Sequence, residues 1–140
     1  MYNHFAEYND ILIRINEIQL KILEIRETLY SIKGIKYDEL PSKGATPQAD
    51  VTYFLIEIEE LEAELDILYD KKQVLRGKHE KEINKVSDAR ERSVLRMYYL
   101  MKFDIYKIAE ALKISVSHTR KIKRDAIESL INVITNDSEK

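Results

Sequence analysis

Cysteine is absent from the chain, which removes disulfides, thiolate metal sites and cysteine nucleophiles together. Glycine and proline are nearly absent as well, at three and two residues in 140. So few turn formers argue against an all-β protein and favour long helices. The glycines, Gly34, Gly44 and Gly77, are too scattered to build a phosphate-cradling loop. The three histidines, His4, His79 and His118, stand far apart, and none completes the paired motif of a zinc peptidase helix or a di-iron bundle. The inventory therefore predicts no enzyme, no catalytic residue, no cofactor and no metal. No apolar run approaches the ~20 residues that span a bilayer, so no membrane partner is expected and a cytoplasmic location is.

What the chain has in abundance is charge, 34% of its residues, and that charge is unevenly placed. Residues 1–86 hold 12 Lys and Arg against 17 Asp and Glu; residues 87–140 hold 11 against 8. The two parts thus carry −5 and +3. From Lys113 to Arg124 there are five basic residues and no acidic one. A nucleic-acid reader need not be basic overall, because only its docking face meets phosphate. The two parts are expected to have different partners.

In the acidic part, Ile11, Ile15, Ile18, Ile22, Ile25, Leu29 and Ile32 alternate by four and three, and Tyr8 extends the series backwards. This is the heptad of a helix whose apolar seam faces another helix. Leu12, Ile13, Leu20 and Leu23 widen the stripe. Gly34 reads as a terminator, with Pro41, Gly44 and Pro47 keeping a loop over 34–50. Asp50 or Thr52 reads as the cap of a second helix. Its series is Val51, Phe54, Ile58, Leu61, Leu65 and Leu68, with a skip at Lys72 before Leu75. Acidic residues fill 57–66, and a bend is expected near Gly77. Helices over about 3–33 and 51–86 make a hairpin with a thin core. A homo-oligomer, a dimer first, would cover it.

In the basic part, Ser87 or Asp88 reads as a helix cap, with Glu91 at capping-box spacing from Asp88. Val94, Leu95, Tyr98 and Tyr99 give that helix its apolar face. Ile105, Ile108, Ala109 and Leu112 form a short second helix, small Ala109 allowing a close crossing. Ser115 then caps a third, whose buried stripe is Thr119, Ile122, Ala126, Ile127, Leu130 and Val133 or Ile134. Short helix, turn and capped basic helix are the layout of a helix-turn-helix, in which the last helix enters the major groove. The side chains expected to contact double-stranded DNA are Ser117, His118, Arg120, Lys121, Lys123 and Arg124. Arginine pairs with guanine bidentately, while lysine and serine more often hold phosphate.

The run Ala89-Arg90-Glu91-Arg92-Ser93-Val94-Leu95-Arg96-Met97-Tyr98-Tyr99, then Ile108 to Ser115 and Ala126 to Leu130, resembles the fourth region of bacterial sigma factors. Lys113 stands where that family usually has its turn glycine. The whole chain resembles RinA-like and ArpU-like phage transcriptional regulators, the segment Gly34 to Pro41 being similar to their connecting loop. The resemblance implies a phage or prophage gene activator that contacts RNA polymerase. The expected fold is all-α: a long, coiled-coil-like helical hairpin over 1–86, for assembly or partner binding, then a sigma-region-4-like helix-turn-helix over 87–140 for DNA binding. The competing reading is a helical adaptor that turns the same basic helix on a protein partner. The acid-free basic run beside an apolar stripe favours DNA.

Overall fold

The computed structural model describes residues 2–39 and 47–138, with side chains over 2–31 and 51–137. The described residues are helical, without a strand: α1 (Ala6–Glu39), α2 (Pro47–Asn84), α3 (Ala89–Leu95), α4 (Ile105–Leu112) and α5 (Val116–Ser138). Among them no helix is long and apolar enough to cross a membrane. Two compact units divide the chain, Tyr8–Lys72 and a second made of Met1–Glu7 with Gln73–Lys140.

In the first unit the heptad of α1 is a continuous buried line, Tyr8, Ile11, Ile15, Ile18, Ile22, Ile25 and Leu29. On α2, Ile58 and Leu65 are buried, while Phe54, Leu61 and Leu68 are half-buried. Cross-helix bonds show the antiparallel sense. Arg26 Nη2 donates to Glu62 Oε1 at 3.2 Å, and Gln19 Nε2, nearer the start of α1, donates to the Tyr69 hydroxyl at 2.7 Å, further along α2. Arg14 adds a two-pronged pair to Glu64. These groups are exposed, and exposed ion pairs contribute little. The apolar seam does the holding, since burying one isoleucine or leucine is worth about 1.5–3 kcal/mol.

Both helices overrun the expected loop. Gly34 does not end α1, which continues to Glu39, and α2 begins at Pro47, so Asp50 and Thr52 lie inside it rather than capping it. A helical glycine costs only about 1 kcal/mol, which neighbouring turns absorb. Proline suits the first helical position because its missing N–H had no partner there. Pro41 and Gly44 lie outside the described residues. The residues that widen the α1 stripe, Ile13, Leu20 and Leu23, are exposed, as are Tyr53, Ile56 and Ile67 on α2.

Helix α2 passes through Gly77 unbroken, and a Cβ built at Gly77 would meet nothing within 4 Å. Gly77→Ala is therefore expected to stabilise the chain by about 1 kcal/mol, through the lost backbone freedom of the unfolded state. A denaturant midpoint that fails to rise at unchanged slope would contradict this.

The second unit is larger than the segment from residue 87 that the sequence marks. It takes in the end of α2, with Ile83 and Val86 buried, and the residues that precede α1. Phe5 is buried and lies parallel to the Tyr99 ring, centroids 4.3 Å apart, with His79 against it at 4.5 Å. Burial pushes the Tyr99 hydroxyl up to about 12, Tyr98 and Tyr2 adding to it. Helix α3 does not stop at Leu95 but widens into a π-helical turn over Arg96–Leu100, and Met101 N–H closes it on the Arg96 carbonyl at 2.9 Å. Two basic side chains near α3 serve structure: Arg92 caps the Val86 and Ser87 carbonyls at 2.7 and 2.9 Å, and Arg96 donates to Asn84. Both tie the end of α2 to α3.

Candidate nucleic-acid interface

The interface is built by three caps in succession. Asp88 accepts from the Glu91 N–H at 3.0 Å and so starts α3, as its spacing predicts. Asp104 accepts from the Lys107 N–H at 2.8 Å and starts α4, a cap additional to those expected at Asp88 and Ser115. Ser115 Oγ accepts from the His118 N–H at 3.0 Å and starts α5, while its carbonyl accepts from the Thr119 hydroxyl at 2.9 Å. Each satisfies an amide that the first turn of a helix leaves open.

Between α4 and α5 the backbone must reverse within three residues. Lys113 does this in the left-handed conformation, φ 58 and ψ 44, while the Ile114 N–H reaches back to the Ala109 carbonyl at 3.1 Å. That pairing is the Schellman closure, whose left-handed position glycine normally fills. A side chain there costs roughly 1–2 kcal/mol. The packing of half-buried Ile114 against the core of Val94, Ile108 and Ile122 offsets it.

This core fixes which side of α5 faces outward. Thr119, Ile122, Ala126 and Leu130 are buried, and Ile127, Val133 and Ile134 are half-buried, which is the predicted stripe. Five of the six expected contact residues, Ser117, His118, Arg120, Lys121 and Arg124, are exposed on the other side. None of the three basic ones has a salt bridge among the described residues. Lys123 is placed differently: it is half-buried, and its Nζ sits 3.8 Å above the Tyr98 ring. Its spacing explains this, since it precedes Ala126 by three and Ile127 by four and so borders the buried stripe. A cation held on an aromatic face stabilises the unit rather than reaching outward. On α4, Lys107 Nζ is likewise held, 4.0 Å over Phe103.

A second cluster in the same unit is invisible in the sequence spacing. His4 and His79, 75 positions apart, have ring centroids 5.0 Å apart, and both meet one carboxylate oxygen. His4 Nε2 is 2.7 Å and His79 Nδ1 2.9 Å from Glu82 Oε1. Burial lowers the affinity of His79 for a proton, outweighing the pull of Glu82. Burial would raise Glu82, but its bonds to the two rings hold it below the ordinary carboxylate range.

Residues 88–131, a little under a third of the chain, match the family model described as Sigma-70, region 4. The matched stretch begins at the cap of α3 and ends one residue past the buried Leu130 of α5. No curated protein and no solved structure matches the chain. The segment α3–α4–α5 is a sigma region 4-like helix-turn-helix.

Proposed function

We propose that the chain is a sequence-specific transcriptional regulator that reads double-stranded DNA by placing the first half of α5 in the major groove. The observation that carries this is the two-sidedness of that half-helix. Thr119, Ile122 and Ala126 are buried behind it, leaving Arg120, Lys121 and Arg124 exposed, with no salt bridge among the described residues. The family match of residues 88–131 supports the same assignment. A finer reading, activation of phage or prophage genes through contact with RNA polymerase, draws on the resemblance to sigma region 4 and to phage regulators.

The residues before α3 supply assembly in this scheme. Their support is a second apolar series on the outer side of each long helix. Ile13, Leu20 and Tyr30 are spaced by seven and ten residues and Tyr53, Ile56 and Ile67 by three and eleven, sums of threes and fours that keep each trio on one side of its helix, and all are at least half exposed. A two-helix core leaves these uncovered, and a second copy would bury them.

The test is a salt titration of full-length chain on random duplex DNA, then selection of bound fragments from a random library. Affinity should fall steeply with salt, by roughly 0.9 in the log–log slope per phosphate engaged. Enrichment of one sequence should follow. A helical adaptor that uses α5 on a protein would show neither, and a flat salt response with no enriched fragment would remove the DNA assignment.

A further inference from the structure

The geometry points to a divalent transition-metal site, of the zinc class, at His4, His79 and Glu82 in the unit that carries the helix-turn-helix. The two ring nitrogens and the carboxylate oxygen lie within 4.8 Å of one another. Two imidazoles and one carboxylate are a donor set that holds zinc with three protein ligands and leaves a fourth position to water. Imidazole also suits copper and nickel, whereas magnesium and calcium prefer all-oxygen shells, which separates the class of ion.

Three features make this more than two histidines that share a hydrogen bond. Both imidazole nitrogens already aim at one carboxylate oxygen, the three donors coming from two distant stretches, one before α1 and one in the last turns of α2. Their positions are braced: Phe5 packs against both imidazoles, at 5.2 Å from His4 and 4.5 Å from His79, and itself lies on Tyr99. Rigid support of this kind is what fixes ligand direction in a metal centre. Beside the trio, the Tyr2 hydroxyl is buried with no hydrogen-bond partner among the described residues. Tyr2 stacks on His4, ring centroids 5.9 Å apart, which sets that hydroxyl beside the donors. A water completing the coordination of an ion would give that hydroxyl an acceptor.

A tetrahedral ion at about 2.0–2.2 Å spaces its ligands by roughly 3.3–3.6 Å, so the edges of the trio to Glu82, 2.7 and 2.9 Å, must open by roughly half an ångström or a little more. The third edge, between the two imidazoles, lies within 4.8 Å and must settle to the same spacing, a shift that side-chain rotation supplies. Each imidazole presents its inward nitrogen once its proton moves to the other ring nitrogen or to solvent, so uptake releases protons or shifts tautomer. The consequence is structural. An ion here would pin the segment before α1 to the end of α2 and steady the surface on which Tyr99 packs.

Tag-free full-length chain titrated with zinc chloride should bind one ion per chain, with a melting temperature several degrees higher at saturation. Cobalt chloride on the same wild-type chain should give the visible absorption of a four-coordinate ion. His4→Gln and Glu82→Gln should each weaken uptake at least tenfold and abolish the cobalt band. His118→Ala, on the exposed side of α5, should leave both intact. His4 and Glu82 are partly accessible, so their variants are expected to keep the helical circular dichroism of the wild type. A wild-type chain that gives no cobalt band, or zinc uptake that survives both substitutions, overturns the site whatever the folding of the variants.

Discussion

Phe5→Ala is expected to destabilise the unit that carries the helix-turn-helix by about 3–5 kcal/mol, the cost of emptying a buried phenylalanine site. Phe5 is 3% exposed and stands among four rings: Tyr99 parallel at 4.3 Å, His79 tilted at 4.5 Å, and His4 and Tyr2 edge-on at 5.2 and 6.2 Å. Stacked and edge-on aromatic pairs add about 0.5–1.5 kcal/mol each beyond area burial, so the loss falls in the upper half of the range. The cavity cannot collapse easily, because Tyr99 belongs to the π-helical turn that Met101 and Arg96 close behind it. Hydrogen exchange on the full chain is the discriminating measurement, since it reports each unit separately. Protection in α3 and α5 should drop, while protection at Ile15 to Ile25 of α1, in the other unit, should change far less. Tyr30→Ala, at an 82% exposed position, is the matched control and should change neither. Unaltered protection in α3 and α5 would show that the residues before α1 are not part of that core.

The outcome bears on what a sequence of this kind makes legible. Features governed by near neighbours were readable: Asp88 and Ser115 each cap an amide three residues on, and the α5 stripe follows from a fixed angle per residue. The heptad on α1 was equally plain, since every one of its residues from Tyr8 to Leu29 is buried. Features set by the return of a distant segment were not. Nothing in the spacing of His4, Phe5 and His79 says that they meet, because their meeting depends on the long helices bringing residue 5 back beside residue 79. The partner of Tyr99 belongs to the same class. Tyr98 and Tyr99 read as two consecutive apolar positions on one helix; in the structure Tyr99 packs on Phe5 while Tyr98 carries Lys123. Neighbours on a helix point about 100° apart, so the two tyrosines meet different partners, and the spacing alone does not name them. Gly34 shows the opposite error, a terminator signal overridden because a single glycine is too cheap to stop a 34-residue helix.

The substitutions that bear most directly on the proposed function are Arg120→Ala and Arg124→Ala. Each is expected to weaken specific DNA binding by about 1–3 kcal/mol, roughly 10- to 100-fold in Kd, because removing a guanidinium leaves the O6 and N7 acceptors of its guanine without their protein donor. The two side chains are four positions apart on the exposed side of α5, one helical turn, so they face adjacent stretches of groove and their losses need not add. Neither has a salt bridge among the described residues, so neither loss should lower the melting temperature by more than a degree or so. Lys123→Ala separates groove contact from structure. Its ammonium lies over Tyr98, an interaction worth about 0.5–1 kcal/mol or somewhat more where water is excluded. Losing it should therefore reduce stability measurably while costing DNA affinity less than either arginine. Fluorescence anisotropy at one fixed salt concentration, on a duplex recovered by selection and on a scrambled duplex, reads the affinity term. Thermal melts on the same samples read the stability term. If Lys123→Ala weakens specific binding more than Arg120→Ala and Arg124→Ala do, the groove-facing side of α5 lies roughly a quarter of a turn from where the exposed arginines put it. Equal weakening on specific and scrambled duplex by all three would reduce α5 to a phosphate-binding element and move sequence recognition elsewhere in the chain.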